Sequence, residues 1–238
     1  MPTKKSTEKK PRLNFIDTLR GFSVISMIFY HLCFDIYDFG IYPLGIGTLP
    51  FEAWRMSIVT VFLTLSGISQ NLSRSRLRRA LITIGAAYLV TAATYLFDPH
   101  MYVVFGVLHC LGFSALIYAV FKKYIDRVPF APFVFMAAFI VLLIIKFPTV
   151  SVPHLYAFGL CDAAFTSSDY YPLLPNVFLF LFGTSLTPHL TGEKTSAFLT
   201  RTHVRPLDFA GRHALIIYLL HQPVMVGIIT VLLDKGII

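Results

Sequence analysis

The sequence predicts an all-α fold: a polytopic transmembrane helical bundle of about seven spans with its amino terminus in the cytoplasm. Three observations predict it. Of the 238 residues, 56% are apolar and only 13% are Asp, Glu, Lys or Arg, against about a quarter charged in an ordinary soluble domain. The mean hydropathy of +0.70 leaves too little polar surface for a water-soluble particle of this size. It also excludes a disordered chain and a basic nucleic-acid-binding domain. The apolar residues gather into seven stretches, near the roughly 20 residues a helix needs to cross the hydrocarbon. Finally, most of the 20 Lys and Arg residues fall on alternate connections, which must share one side of the membrane, and that side is cytoplasmic.

The elements follow in order. Residues 1–13 form a basic cytoplasmic arm carrying Lys4, Lys5, Lys9, Lys10 and Arg12, and 14–238 form a single membrane domain. The apolar run after the arm is too long for a signal peptide, lacks a small-residue cleavage site and leads into further spans, so it is expected to stay as the first helix. Spans are predicted near 21–40, 53–72, 79–97, 102–121, 130–147, 173–190 and 214–233. Arg74, Arg76, Arg78 and Arg79 lie between the second and third spans. Lys122, Lys123 and Arg127 follow the fourth. Lys194, Arg201, Arg205 and Arg212 lie between the sixth and seventh, which is expected to be a plain connection. Asp35, Asp38, Glu52, Asp98, Asp162 and Asp169 mark the other side. Cys33, Cys110 and Cys161 are scattered without CxxC spacing and are expected to be small buried hydrophobes. Gly67, Gly106 and Gly112 are expected to let helices pack closely. Trp54 is expected as an interfacial anchor; Arg55, on the acidic side, is expected to pair with Asp35 or Asp38.

Ionisable side chains at membrane depth are costly, which makes each a candidate for function. Arg20 and His31 are eleven residues apart on the first helix, so they share a face and lie about 16 Å apart along it. Asp35, one turn beyond His31, is expected to orient the imidazole by a hydrogen bond. His109 and His221 fall at a depth similar to His31. Pro223 is expected to kink the last helix, because it cannot donate a backbone hydrogen bond to Leu219.

Arg12-Leu13-Asn14-Phe15-Ile16-Asp17-Thr18-Leu19-Arg20-Gly21, leading to His31, resembles the first helix of transmembrane acyltransferases. The Arg and His separated by ten residues are similar to the signature of bacterial polysaccharide O-acyltransferases. The wider set is most similar to prokaryotic relatives of the heparan-α-glucosaminide N-acetyltransferase family. It comprises Phe62-Leu63-Thr64-Leu65-Ser66-Gly67, Phe105-Gly106-Val107-Leu108-His109, Asp169-Tyr170-Tyr171-Pro172-Leu173-Leu174-Pro175, and Gly211-Arg212-His213 through His221-Gln222-Pro223. The resemblance runs from Arg12 to Pro223. It departs from the animal enzyme, which has Asn at the position of His31 and a proposed catalytic His in the next external loop. This chain has no His between Cys33 and Pro99.

The resemblance implies transfer of an acyl group, most simply acetyl, from cytoplasmic acyl-CoA to an extracytoplasmic sugar hydroxyl or amine, in the cytoplasmic membrane of a cell. Acetyl-CoA or another acyl-CoA is then the expected donor, bound through Arg20, Arg78, Arg79 and Arg212, whose cations suit its polyanionic nucleotide. His31 is expected as general base or acyl-accepting nucleophile, and His109 or His221 as donor to the thioester oxygen. Asp169 and Tyr170 are expected to hold the acceptor. The expected partners are bilayer lipid, acyl-CoA and an extracytoplasmic glycan or small-molecule acceptor. A homo-oligomer is allowed, and no nucleic acid and no metal are expected. Two other classes fit the same polar residues: a proton-coupled small-molecule transporter and a metal site made by His31, His109 and His221.

Overall fold

The computed structural model describes residues 13–100, 102–145, 155–162 and 164–237. The basic residues Lys4, Lys5, Lys9, Lys10 and Arg12 lie outside the described residues, as do the end of the fifth predicted span and the start of the external connection after it.

The described residues form nine α-helices and one 3-10 turn, and their only β-pairing is a single bridge between Phe105 and Tyr170. Helices α1 (Asn14–Asp38), α2 (Leu49–Leu72), α3 (Arg76–Phe97), α6 (Leu173–Leu190) and α9 (Ala214–Asp234) are each long and apolar enough to cross a membrane. Between them lie α4 (Val107–Ile125) and the short apolar α5 (Ala131–Ile144). The chain is a multi-pass membrane protein, and each of the seven predicted stretches contains a helix.

Local chemistry sets the boundaries. Gly40, at φ +69°, closes the end of α1 in a left-handed conformation that L side chains rarely adopt. Pro50 and Pro132 occupy the first turns of α2 and α5, where the missing N–H leaves no intrahelical bond unmade. Lys122 and Lys123 complement the carbonyl end of α4. That helix begins at Val107, later than the predicted 102, because 102–106 are non-helical and Phe105 bridges to Tyr170. The helix of α9 continues through Pro223.

The predicted connection 191–213 contains two short helices instead, α7 (Glu193–Arg201) and α8 (Arg205–Arg212). Pro206 in the first turn of α8 and Asp208 just behind it are the start signals that the hydropathy of this stretch hides. Helix α8 packs along α1, which also meets α2 and α9; α6 bridges α2, α4 and α5, and α3 pairs with α4.

Two of these contacts are made by paired glycines. A Cβ on Gly21 would collide with the carbonyl of Leu207, and one on Gly211 with the carbonyl of Asp17, so α1 and α8 touch backbone to backbone. Gly67 and Gly183 do the same for α2 and α6, against Phe180 and Thr64. Without a hydrophobic driving force between helices in lipid, such small-residue contact is what holds them. Gly112 also packs closely, against Ile84, but Gly106 instead faces the Asp169 carboxylate and Val103.

The main core lies where α2, α4 and α6 meet, with Leu63, Cys110, Tyr118, Leu179 and Phe180 almost wholly buried. Large apolar side chains such as Leu89, Leu96, Phe97, Phe133 and Ile144 point outward, as expected where the surrounding solvent is hydrocarbon.

Candidate functional site

The packing of α9 against α1 brings two of the three predicted histidines together. His221 Nε2 is 3.4 Å from His31 Nδ1, with ring centroids 4.9 Å apart. The other ring contacts fix the hydrogens. His31 Nδ1 also lies 3.0 Å from the Met27 carbonyl, and His221 Nδ1 lies 2.6 Å from that of Tyr218. A carbonyl only accepts, so both Nδ1 atoms carry hydrogen. His221 Nε2 is then an acceptor facing the His31 Nδ1–H, and His31 Nε2 keeps its lone pair. The Tyr30 ring packs edge-on against His31 and the Trp54 ring against Tyr30. Trp54 Nε1 donates to Ser26 on α1 at 2.8 Å, so it ties α2 to α1 instead of merely marking an interface.

Asp35 does not bond the imidazole. Its Oδ1 accepts from Gln222 Nε2 at 2.6 Å. The Met27 carbonyl, one turn back, takes the place expected for Asp35 at His31 Nδ1, and Asp35 turns to α9 one residue beyond His221. Gln222 was not singled out in the sequence, because a lone amide next to a proline carries no distinctive pattern.

His109 is held elsewhere. Its Nδ1 accepts from the Gly106 N–H at 3.2 Å, at the start of α4, and its Nε2 lies 3.3 Å from the Thr91 hydroxyl on α3. Its ring packs against Tyr88 and Phe105. The three histidines therefore do not converge, and among the described residues no three His, Cys, Asp or Glu side chains are grouped to hold a metal ion.

At the other end of α1, three of the four predicted cofactor arginines share one network. Arg20 donates to Asp17 at 2.9 Å, to the Gly211 carbonyl at 3.4 Å and to the Ser69 hydroxyl. Arg79 reaches the Ser69 carbonyl at 3.3 Å, and Arg212 lies 3.8 Å from Asp17. Arg20 and Arg212 thus share the Asp17 carboxylate, and Arg79 joins them through Ser69, so the network carries net positive charge. Arg78 is exposed on α3 beside them. Helix α8, which completes this network, is fastened to α1 by Asp208. Its carboxylate accepts from Thr18, lies 2.8 Å from His203 Nδ1, and is buried. Burial pushes the Asp208 carboxyl up, but the Thr18 and His203 hydrogen bonds outweigh it and hold it below the ordinary value.

Asp169 and Tyr170 sit in the connection before α6. Asp169 Oδ2 accepts from the Val107 N–H at 3.1 Å, at the head of α4, where the helix dipole favours a negative charge. Burial pushes its carboxyl up to about 6, against the Val107 hydrogen bond and Arg55. The Tyr170 hydroxyl donates to the Tyr156 carbonyl at 2.6 Å. Arg55 pairs with Glu52 at 2.6 Å and donates to the Tyr171 hydroxyl at 2.6 Å, not to Asp35 or Asp38. Glu52 is one turn away on the same helix, which makes it the nearer acid.

No curated protein and no solved structure matches the chain significantly. The family model described as heparan-alpha-glucosaminide N-acetyltransferase, catalytic, matches residues 12–223. That match takes in both the His31–His221 pair and the arginine network, and the chain belongs to this family of transmembrane acetyltransferases.

Proposed function

We propose that the protein transfers an acetyl group, or another short acyl group, from acyl-CoA at the cytoplasmic face to a sugar hydroxyl or amine arriving from the other side of a cell membrane. The observation that carries this reading is the contact between His31 and His221, with the arginine network at the opposite end of the same helix α1. The amino terminus is cytoplasmic, so Arg20, Arg78, Arg79 and Arg212 face the CoA phosphates. Eleven residues of helix, about 16 Å, separate Arg20 from His31, which suits the reach of a pantetheine arm laid along α1.

His31 Nε2 takes the proton from the acceptor as its nitrogen or oxygen attacks the thioester carbonyl. The new C–N or C–O bond forms, the C–S bond breaks, and the leaving thiolate recovers the proton from His31. While His31 is protonated, its Nδ1–H, bonded to the Met27 carbonyl at 3.0 Å, also faces His221 Nε2 at 3.4 Å, and the two acceptors together stabilise the imidazolium and fix its orientation. A positioned base of this kind contributes about 10²–10⁴-fold. Asp169, Tyr170 and Tyr171 meet the acceptor on its way in.

The test is transfer from radiolabelled acetyl-CoA to glucosamine by purified protein in nanodiscs. His31→Ala should abolish transfer while acetyl-CoA still binds, and Arg20→Gln should weaken acetyl-CoA binding. Transfer that survives His31→Ala would remove the proposed base. Solute uptake into proteoliposomes without any acyl-CoA would favour the transporter instead.

A further inference from the structure

Two buried oxygen atoms beside the histidine pair have no hydrogen-bond donor among the described residues: Asp35 Oδ2 and Gln222 Oε1. Asp35 is only 3% exposed. Its other oxygen already accepts from Gln222 Nε2, so the two orphans belong to side chains that touch each other. Leaving buried acceptors unmatched is costly, and native proteins rarely do so without a reason. Their position supplies one. Asp35 is one turn from His31 on α1, and Gln222 directly follows His221 on α9, so the Asp35–Gln222 contact lies next to the His31–His221 contact along the same two helices.

We propose that Asp35 and Gln222 form the subsite that receives the nucleophilic group of the acyl acceptor, taking its N–H or O–H hydrogens as hydrogen bonds while His31 removes the proton that must leave. The inference rests on the acyl-transfer reading above. Two unmatched acceptors call for a ligand carrying at least two donors, such as an ammonium group, which releases one proton to water to become the attacking amine and passes the second to His31, or a pair of neighbouring hydroxyls. The thioester end of acyl-CoA cannot answer, because its carbonyl and sulfur offer only acceptors. The subsite therefore selects the acceptor and leaves the donor unaffected. Asp35 acts here as a substrate-holding group, not as the orienter of His31.

Steady-state kinetics test this with glucosamine and glucose as paired probes against acetyl-CoA, in wild type, Asp35→Asn and Gln222→Met. Each variant should raise the acceptor KM roughly tenfold or more, the loss expected for a hydrogen bond to a charged or buried group, with the acetyl-CoA KM unchanged. If the bound group is an ammonium, Asp35→Asn should penalise glucosamine more than glucose; if it is a hydroxyl pair, the two sugars should suffer alike. Two substitutions guard against one of them failing to fold. An unchanged acceptor KM with a fallen kcat would overturn the subsite and return Asp35 to a positioning role. So would an infrared carboxyl band in the sugar-free protein that vanishes in Asp35→Asn and shifts in Gln222→Met, because an acid–amide pair would then satisfy both oxygens by itself. If wild type transfers to neither sugar, sugar binding by calorimetry without acetyl-CoA decides the matter. Binding lost in both variants would sustain the subsite, and no binding by wild type would overturn it.

Discussion

His31 and His221 stand 190 positions apart in sequence and meet through one nitrogen of each ring. Each was legible singly, because an imidazole in an apolar helix is conspicuous; their partnership was not, since it depends on how α1 and α9 are rotated. The same holds for Asp35, whose one-turn spacing from His31 pointed along its own helix while its bond runs across to Gln222. His221→Ala should lower kcat for acetyl transfer by about 10²-fold or more with little change in the acetyl-CoA KM; equal activity in the variant would leave His31 without its partner role. Asp169 gives a second expectation, in stability. Buried at the head of α4, it keeps its proton up to about pH 6, whereas the unfolded chain releases it near the ordinary carboxylate value of about 4. The folded state binds more protons between those values, so stability falls as pH rises from about 4 to about 6 and levels off above. Asp169→Asn should flatten that part of the profile of melting temperature against pH, and an unaltered slope would refute the assignment.

At the scale of elements, glycine pairs set how closely helices approach. Gly67 was recognised from sequence, but Gly183, Gly21 and Gly211 were not, since a glycine reveals its partner only once two helices cross. Gly183→Val should force α2 and α6 apart at Thr64 and cost about 1–3 kcal/mol, read as a lower melting temperature. Gly85, whose added Cβ would meet nothing within 4 Å, is the control: Gly85→Ala should be neutral or slightly stabilising. Gly211→Ala carries a functional consequence as well. Displacing α8 from α1 withdraws the Gly211 carbonyl from Arg20 and Arg212 from Asp17, so acetyl-CoA affinity should fall along with stability, and titration calorimetry would show it. Helices α7 and α8 escaped the sequence reading because their polar composition resembles a loop and their lengths, 9 and 8 residues, are too short for periodicity to stand out.

For the whole molecule, the arginine network and the histidine pair occupy the two ends of one stretch of α1, which would give the proposed acyl transfer a direction across the bilayer. If the amino terminus is cytoplasmic as proposed, Ser75→Cys beside α3 should react with an impermeant maleimide only from the cytoplasmic side. Thr166→Cys, in the connection before α6, should react only from the other side. The reverse pattern of labelling would invert the proposed orientation and move the acyl-CoA site with it.

By itself the sequence determined that this chain is a bundle of membrane helices, because in hydrocarbon each segment must satisfy its own backbone and length and hydropathy are local properties of that segment. It also marked the individual polar residues that such a bundle would not carry without cause. Tertiary structure alone decided which of them meet: His31 with His221, Asp35 with Gln222, Arg20 with Arg79 and Arg212 through Ser69 and Asp17, and His109 apart with Gly106 and Thr91. The reason is geometric. A hydrogen bond requires atoms within about 3 Å, and a small rotation of a helix about its axis, which hydropathy scarcely registers, is enough to make or break one.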